Sequence, residues 1–156
     1  MKIWKRLRPE HVFLNLSLKD KDAVLHFAAN TFACDGIVGD ASRLYEDINK
    51  REETMSTGIG KGVGIPHAAS WEADDAAIIL IRLAAPIDFE ALDSLPVDVI
   101  LVLVIPENQI TLHLQMLASI SRLCQDLEFT SAVRQAKDPN NLLEKIKALE
   151  KEIAFH

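Results

Sequence analysis

The run VILVLVIP, Val99 to Pro106, constrains this chain more than any other stretch. It is apolar at consecutive positions, so neither face of a strand built from it can be turned to water. It is far too short to span a bilayer. Val97 to Ile105, rich in Val, Ile and Leu, therefore reads as a central strand covered on both faces. AAIILIRL, Ala76 to Leu83, reads as a second strand. Pro86, Pro96 and Pro106 fall at the ends of these segments, where a missing N–H does little harm.

Helical patterns surround the strands. Ala23, Val24, Phe27, Ala28 and Phe32 predict a helix from Asp20 or Lys21 to Ala33, stopping at Asp35-Gly36. A second helix starts after Gly39 with Asp40 as N-cap, and Leu44, Tyr45 and Ile48 form its buried side. From about Gln109 the apolar residues fall on two stripes. Ile110, Leu114, Leu117 and Cys124 make one; Leu112, Met116, Ile120 and Leu123 make the other, predicting a helix buried on two sides. Glu128 to Ala136 and Pro139 to Ile153 are further helices, the last announced by Asp138-Pro139. Helices at both ends and strands in the middle imply a three-layer α/β fold. With 156 residues, no repeat and no linker, one domain over residues 1–156 is expected.

Composition narrows the function classes. A formal net charge of −6 argues against non-specific nucleic-acid binding, which needs a basic field. The basic N-terminus MKIWKRLRPE lacks the apolar stretch of a signal peptide. Cys34 and Cys124 are distant and belong to no CxxC pair, so neither zinc nor a disulfide framework is indicated. A soluble cytoplasmic protein with two free thiols is the expectation.

The chemistry concentrates in TGIGKGVGIPHAA, Thr57 to Ala69. A Walker A loop needs a hydroxyl residue after the lysine, and Gly62 follows Lys61. The dinucleotide fingerprint fails too: counted from Gly58 or from Gly60, its third glycine position holds Val63 or Ile65. No nucleotide cofactor is expected. Glycines at 58, 60, 62 and 64 suit either an extended segment cleared for close approach or a tight hairpin. Pro66 fixes the backbone before His67 and biases Ile65 toward extended geometry.

Of the five histidines, His156 is terminal, His11 precedes the first helix and His26 flanks an apolar stripe; all three read as solvated or boundary residues. His113 lies near the start of the long helix, where unpaired N–H groups favour a phosphoryl group. His67 and His113 lack a third ligand or a zincin spacing, so no metal is expected. A nucleophilic histidine needs less: a neutral imidazole, a hydrogen bond on its other nitrogen, and donors around the phosphoryl oxygens. Arg51, Lys61 and loop amides are the candidate donors, arginine the best suited by its planar fork.

At this point REETMSTGIGKGVGIPHA, Arg51 to Ala68, resembles the active-site signature of the fructose/mannitol-type enzyme IIA of the bacterial phosphoenolpyruvate-dependent phosphotransferase system. The similarity is closest to the nitrogen-regulatory branch. It continues through PIDFEALDSLPVDVILVLVIP and TLHLQMLASISRL, and covers the chain from about Lys19 onward. The resemblance implies a three-layer α/β/α domain with a small mixed sheet. It implies that His67 accepts a phosphoryl group at Nε2 from a histidine-containing phosphocarrier protein. Arg51 matches the active-site arginine and His113 the second active-site histidine. Gly64 stands where alanine is usual, Ala68 where glycine is usual, and Lys61 where the regulatory branch often has asparagine. None of these removes a reacting group; Lys61 is expected to face solvent, and the glycines are expected to clear a smooth, extended approach for a partner's phosphohistidine. Three functions follow for comparison. One is a regulatory phosphocarrier acting on target proteins. Another is a sugar-transport component passing the group to an enzyme IIB cysteine. The third is a binding module without phosphotransfer, against which the intact Arg51, His67 and His113 argue.

Overall fold

In a computed structural model describing residues 2–153, β6 (Val97–Pro106) is the axis on which everything else is laid. β5 (Ala77–Ile87) pairs antiparallel along one side of it. β3 (Val63–Gly64) and then β4 (His67–Ser70) pair parallel along the other. β1 (Val12–Leu16) adds parallel to β5, and β2 (Gly58–Gly60) antiparallel to β3. The sheet is thus mixed and six-stranded, in the order β1-β5-β6-β3-β2 with β4 also on β6.

Every residue from Val99 to Ile105 is fully buried, as the unbroken apolar run requires. The pleat sends alternate side chains to opposite faces. Ile79, Ile81, Ile100, Val102 and Val104 pack under α1 (Lys21–Cys34) and α2 (Ala41–Thr54). Ile78, Leu80, Leu101, Leu103 and Ile105 face α3 (Ile110–Cys124), α4 (Leu127–Gln135) and α5 (Pro139–Ile153). Three layers result. The side chains of Asp20 and Asp40 accept from the amides of Ala23 and Arg43, capping α1 and α2 at about 1 kcal/mol each. Gly36, at φ +74°, turns the chain out of α1.

β3 and β4 are one line in two pieces. Val63 pairs with Val99 and His67 with Leu103, so the register on β6 is unchanged across Ile65-Pro66. The Leu103 amide donates to the Pro66 carbonyl at 3.0 Å and carries the ladder through the gap. His67 is therefore fixed by pairing to the inner strand β6 rather than by a loop.

The glycines divide into two uses. Gly60, Lys61 and Gly62 all have positive φ and form the tip of the β2–β3 hairpin. A Cβ at Gly58 would lie 2.7 Å from the Ala91 Cβ, and one at Gly64 2.9 Å from the Phe89 ring. The hairpin reading holds, and the expected clearance for a partner is corrected: the cleared face is filled by the chain's own Phe89 and Ala91.

Three local expectations are corrected. α3 buries one stripe, Met116, Ile120 and Leu123, and of the other only its end at Cys124, whereas Ile110 and Leu114 are 71% and 64% exposed. A helix in an outer layer has a single layer to pack on. Tyr45 sits half-buried at the rim of α2, its hydroxyl donating to Asp22. His11 is not solvated; it is buried, and its Nε2 meets an Asp35 carboxylate oxygen at 2.5 Å. His26 is exposed as expected, stacked on Tyr45. His156 lies outside the described residues.

Candidate active site

His67 opens β4 with its side chain buried at 7% exposure. Its Nδ1 lies 2.8 Å from the Ile65 carbonyl oxygen. A carbonyl can only accept, so Nδ1 carries the proton and donates, leaving the lone pair on Nε2. The peptide before Pro66 sets this geometry, because the bond runs back only two residues. Burial is the main influence on the His67 pKa and lowers it; the Ile65 carbonyl pulls the other way. The nearby Arg51 and His113 charges lower it further, and Glu52 opposes them weakly. The imidazole is thus neutral at pH 7, the state that attacks phosphorus.

His113 projects from the first turns of α3. Its ring stands edge-on to that of His67, with centroids 5.6 Å apart and planes at 84°. Burial, and then Arg51, lower its pKa as well. Two neutral imidazoles side by side avoid the repulsion that two cations would suffer. Arg51 lies in the last turns of α2, where its Nη1 donates to the Met55 carbonyl at 3.2 Å. Arg51, His67 and His113 line one cavity of about 520 Å³. The structure brings all three predicted site residues together.

Lys61 does not join them. It sits exposed at the hairpin tip, as expected, held through its backbone: its amide donates to Asp93 and its carbonyl accepts from Arg134. Of the stretch Thr57 to Ala69, its far end, His67, Ala68 and Ala69, lines the cavity, and the glycines do not.

Four lining residues escaped the sequence reading: Arg43, Asp47, Trp71 and Glu107. Arg43, Asp47 and Arg51 recur at four-residue intervals, which places them on one face of α2, and that spacing is the signal in the sequence. Trp71 is 62% exposed with the Arg43 guanidinium 5.2 Å from its ring centroid. Glu52 also escaped notice. Its buried carboxylate accepts from the Thr57 amide at 3.1 Å and from the Thr57 hydroxyl, and pairs with Lys21 at 2.7 Å. It anchors the strand pair behind His67 to the end of α2.

The two cysteines are free thiols. Burial pushes the Cys124 thiol up to about 12, which removes it as a nucleophile.

Comparisons with known proteins bear on this arrangement. Residues 5–149 match the sequence model of the family described as phosphoenolpyruvate-dependent sugar phosphotransferase system, EIIA 2. The chain is 33% identical over 130 residues to a nitrogen regulatory protein of Pseudomonas aeruginosa, covering 83% of this chain and 84% of that one. Its fold is similar to that of the nitrogen regulatory protein IIA-Ntr of Neisseria meningitidis, with a TM-score of 0.86 at 24% identity over 92% of this chain and 98% of that one. It is also similar to the mannitol enzyme IIA in its complex with phosphorylated enzyme IIB of Escherichia coli. There the TM-score is 0.77 at 15% identity, over 91% of this chain and 97% of that one.

Proposed function

The chain belongs to the EIIA 2 family of the phosphoenolpyruvate-dependent sugar phosphotransferase system, and from that premise we propose that His67 is the residue that carries the phosphoryl group. The family is a phosphotransferase component, and this chain is a phosphoryl carrier within it. The observation that supports His67 is its tautomer: Nδ1 is occupied by the Ile65 carbonyl, so Nε2 is the free nucleophile.

Nε2 attacks the phosphorus of a phosphohistidine on a histidine-containing phosphocarrier protein. The new N–P bond forms as the donor's N–P bond breaks, and the donor imidazole leaves with the electron pair. Arg51 faces the cavity with a fork that pairs two phosphoryl oxygens and spreads their charge in the transition state. His113, neutral and edge-on, presents an N–H to a third oxygen. Phosphorylation places close to two negative charges in the cavity, and partners then read a changed surface.

Among relatives of this family, the likeness to nitrogen regulatory proteins favours a regulatory carrier acting on target proteins. The single-domain reading of residues 1–156 fits, since the family match spans 5–149. The described helices include none long and apolar enough to cross a membrane. The alternative is a sugar-specific enzyme IIA that passes the group to an enzyme IIB cysteine, a reading supported by the family's own description as a sugar phosphotransferase system.

Phosphotransfer from phosphoenolpyruvate, through general enzyme I and a phosphocarrier protein of either the sugar or the nitrogen type, tests the reading. Acid-labile label appears on the wild type and disappears in His67→Ala. Label that persists in His67→Ala overturns the site, and no label on the wild type overturns the carrier role. Onward transfer to an enzyme IIB cysteine decides for the alternative.

A further inference from the structure

The N-terminal segment builds a second cleft, larger than the first, that shares no lining residue with the His67 cavity. Its volume is about 690 Å³, within the usual range for small-molecule sites. Lys2, Lys5, Arg6 and Arg8 line it, with Asp74 and Asp75 across from them. Cations outnumber carboxylates in this wall, although the whole chain carries a net charge of −6.

The segment is held in place rather than trailing. The buried Glu150 carboxylate accepts from the amides of Ile3 and Trp4 at 2.9 and 2.7 Å. Ile3 and Leu7 are buried in the core beneath. The side chains at 5, 6 and 8 therefore project from an anchored backbone, which lowers the entropy cost of gathering their charges around a ligand. Among the described residues neither Lys5 nor Arg8 is paired with a carboxylate, whereas Arg6 meets Asp75 at 2.6 Å. The Asp75 side chain is 73% exposed, and an exposed pair of this kind exchanges readily for a stronger partner. Arg6 holds the Asp75 carboxyl below the usual carboxylate range, so Asp75 competes as a full anion at neutral pH.

We propose that this cleft is a second binding site, separate from His67, for a small phosphate-bearing polyanion held by Lys5, Arg6 and Arg8. Guanidinium forks pair with two phosphate oxygens at once and a lysine adds a point charge, so the set favours clustered phosphates over a single carboxylate. Binding moves Arg6 from Asp75 to the ligand.

The probe is inorganic pyrophosphate, titrated into the intact protein at constant ionic strength and followed by backbone amide NMR. Saturable shifts are expected at Arg6, Arg8, Gly36 and Ile37. The double variant Lys5→Ala/Arg8→Ala weakens binding about tenfold or more, since tenfold corresponds to a single modest interaction. Asp75→Asn acts the other way and tightens binding, because it frees Arg6 without altering the cleft's shape. Arg51→Ala leaves these shifts in place. Shifts confined to His67 and its neighbours, no saturation by about 10 mM, tenfold weaker than a millimolar complex, or loss of the shifts in Arg51→Ala would each overturn the proposal. So would an unchanged affinity in both Lys5→Ala/Arg8→Ala and Asp75→Asn, which report with opposite signs and do not share a folding defect.

Discussion

The His67 cavity and the N-terminal cleft differ in the kind of charge they hold. The larger one is walled by lysines and arginines whose charge is permanent at neutral pH, with one exposed ion pair across its mouth. The smaller one centres on two imidazoles that burial and Arg51 keep neutral. Size therefore does not mark the chemistry. A reacting group must be able to lose and gain a bond, and a depressed histidine pKa leaves a lone pair ready; fixed cations only hold what arrives.

That contrast can be attacked at several points. The largest expected effect lies behind the smaller cavity. Glu52→Ala leaves Lys21, 16% exposed, without its carboxylate and Thr57 without its acceptor, and should cost about 3 kcal/mol of unfolding free energy. Urea denaturation measures it, and a loss below about 1 kcal/mol, the scale of a surface pair, would remove the distinction between the buried and the exposed network. Next comes Arg51→Ala, expected to slow phosphotransfer to His67 about 100-fold, the usual loss for one transition-state donor.

The same variant changes the pH profile. His67 faces Arg51, His113 and Glu52, and its folded pKa lies below the free value. Acceptor activity in the wild type should persist as pH falls through about 6.5, the free histidine value, and fail only lower. Removing Arg51 raises both histidine pKa values, so the acid limb moves up, though it stays below the free value because burial remains the larger cause. Stability follows the same sign: the unfolded chain takes up these protons first, so acid destabilises the fold below about pH 6.5, less so in Arg51→Ala. An acid limb that does not move would separate Arg51 from the histidines electrostatically.

His113→Ala ranks below these, with transfer about tenfold slower but not abolished, as for a group assisting by proton or hydrogen-bond donation at the low end of its range. Rapid-quench labelling reads the rate, and no change would reduce His113 to a packing residue. The smallest effect is expected at the other cavity, where Arg6→Ala should cost at most about 1 kcal/mol and leave phosphotransfer to His67 at the wild-type rate.

Much of the site was legible because its residues stand close together in the sequence. Ile65-Pro66-His67 carries its own tautomer control, and Arg51 precedes the same motif. His113 was placed by its helix position and by resemblance. The layer order was legible from Val99 to Ile105, which is apolar on both faces and obliges helices on each side. What stayed hidden depended on distant segments meeting. Nothing near Gly58 or Gly64 announces Ala91 or Phe89, so their close approach could not be told from clearance for a ligand. His11 looked solvated because Asp35, its partner, arrives from the far end of α1. The exposed stripe of α3 was misread for a similar reason. Apolar spacing reports what a helix is able to bury, and only the layers present decide how much of it is covered.

The unbroken register of β3 and β4 along β6 has a consequence for signalling. A histidine held against the inner strand β6, with the same ladder before and after it, has no hinge beside it and no lever to turn. With His67 as the proposed carrier, the phosphoryl group arrives on a rail rather than a switch arm. The phosphorylated and unphosphorylated forms then share one outline and differ in voltage, and a partner tells them apart as a charge reader does, with a discrimination that added salt will blunt.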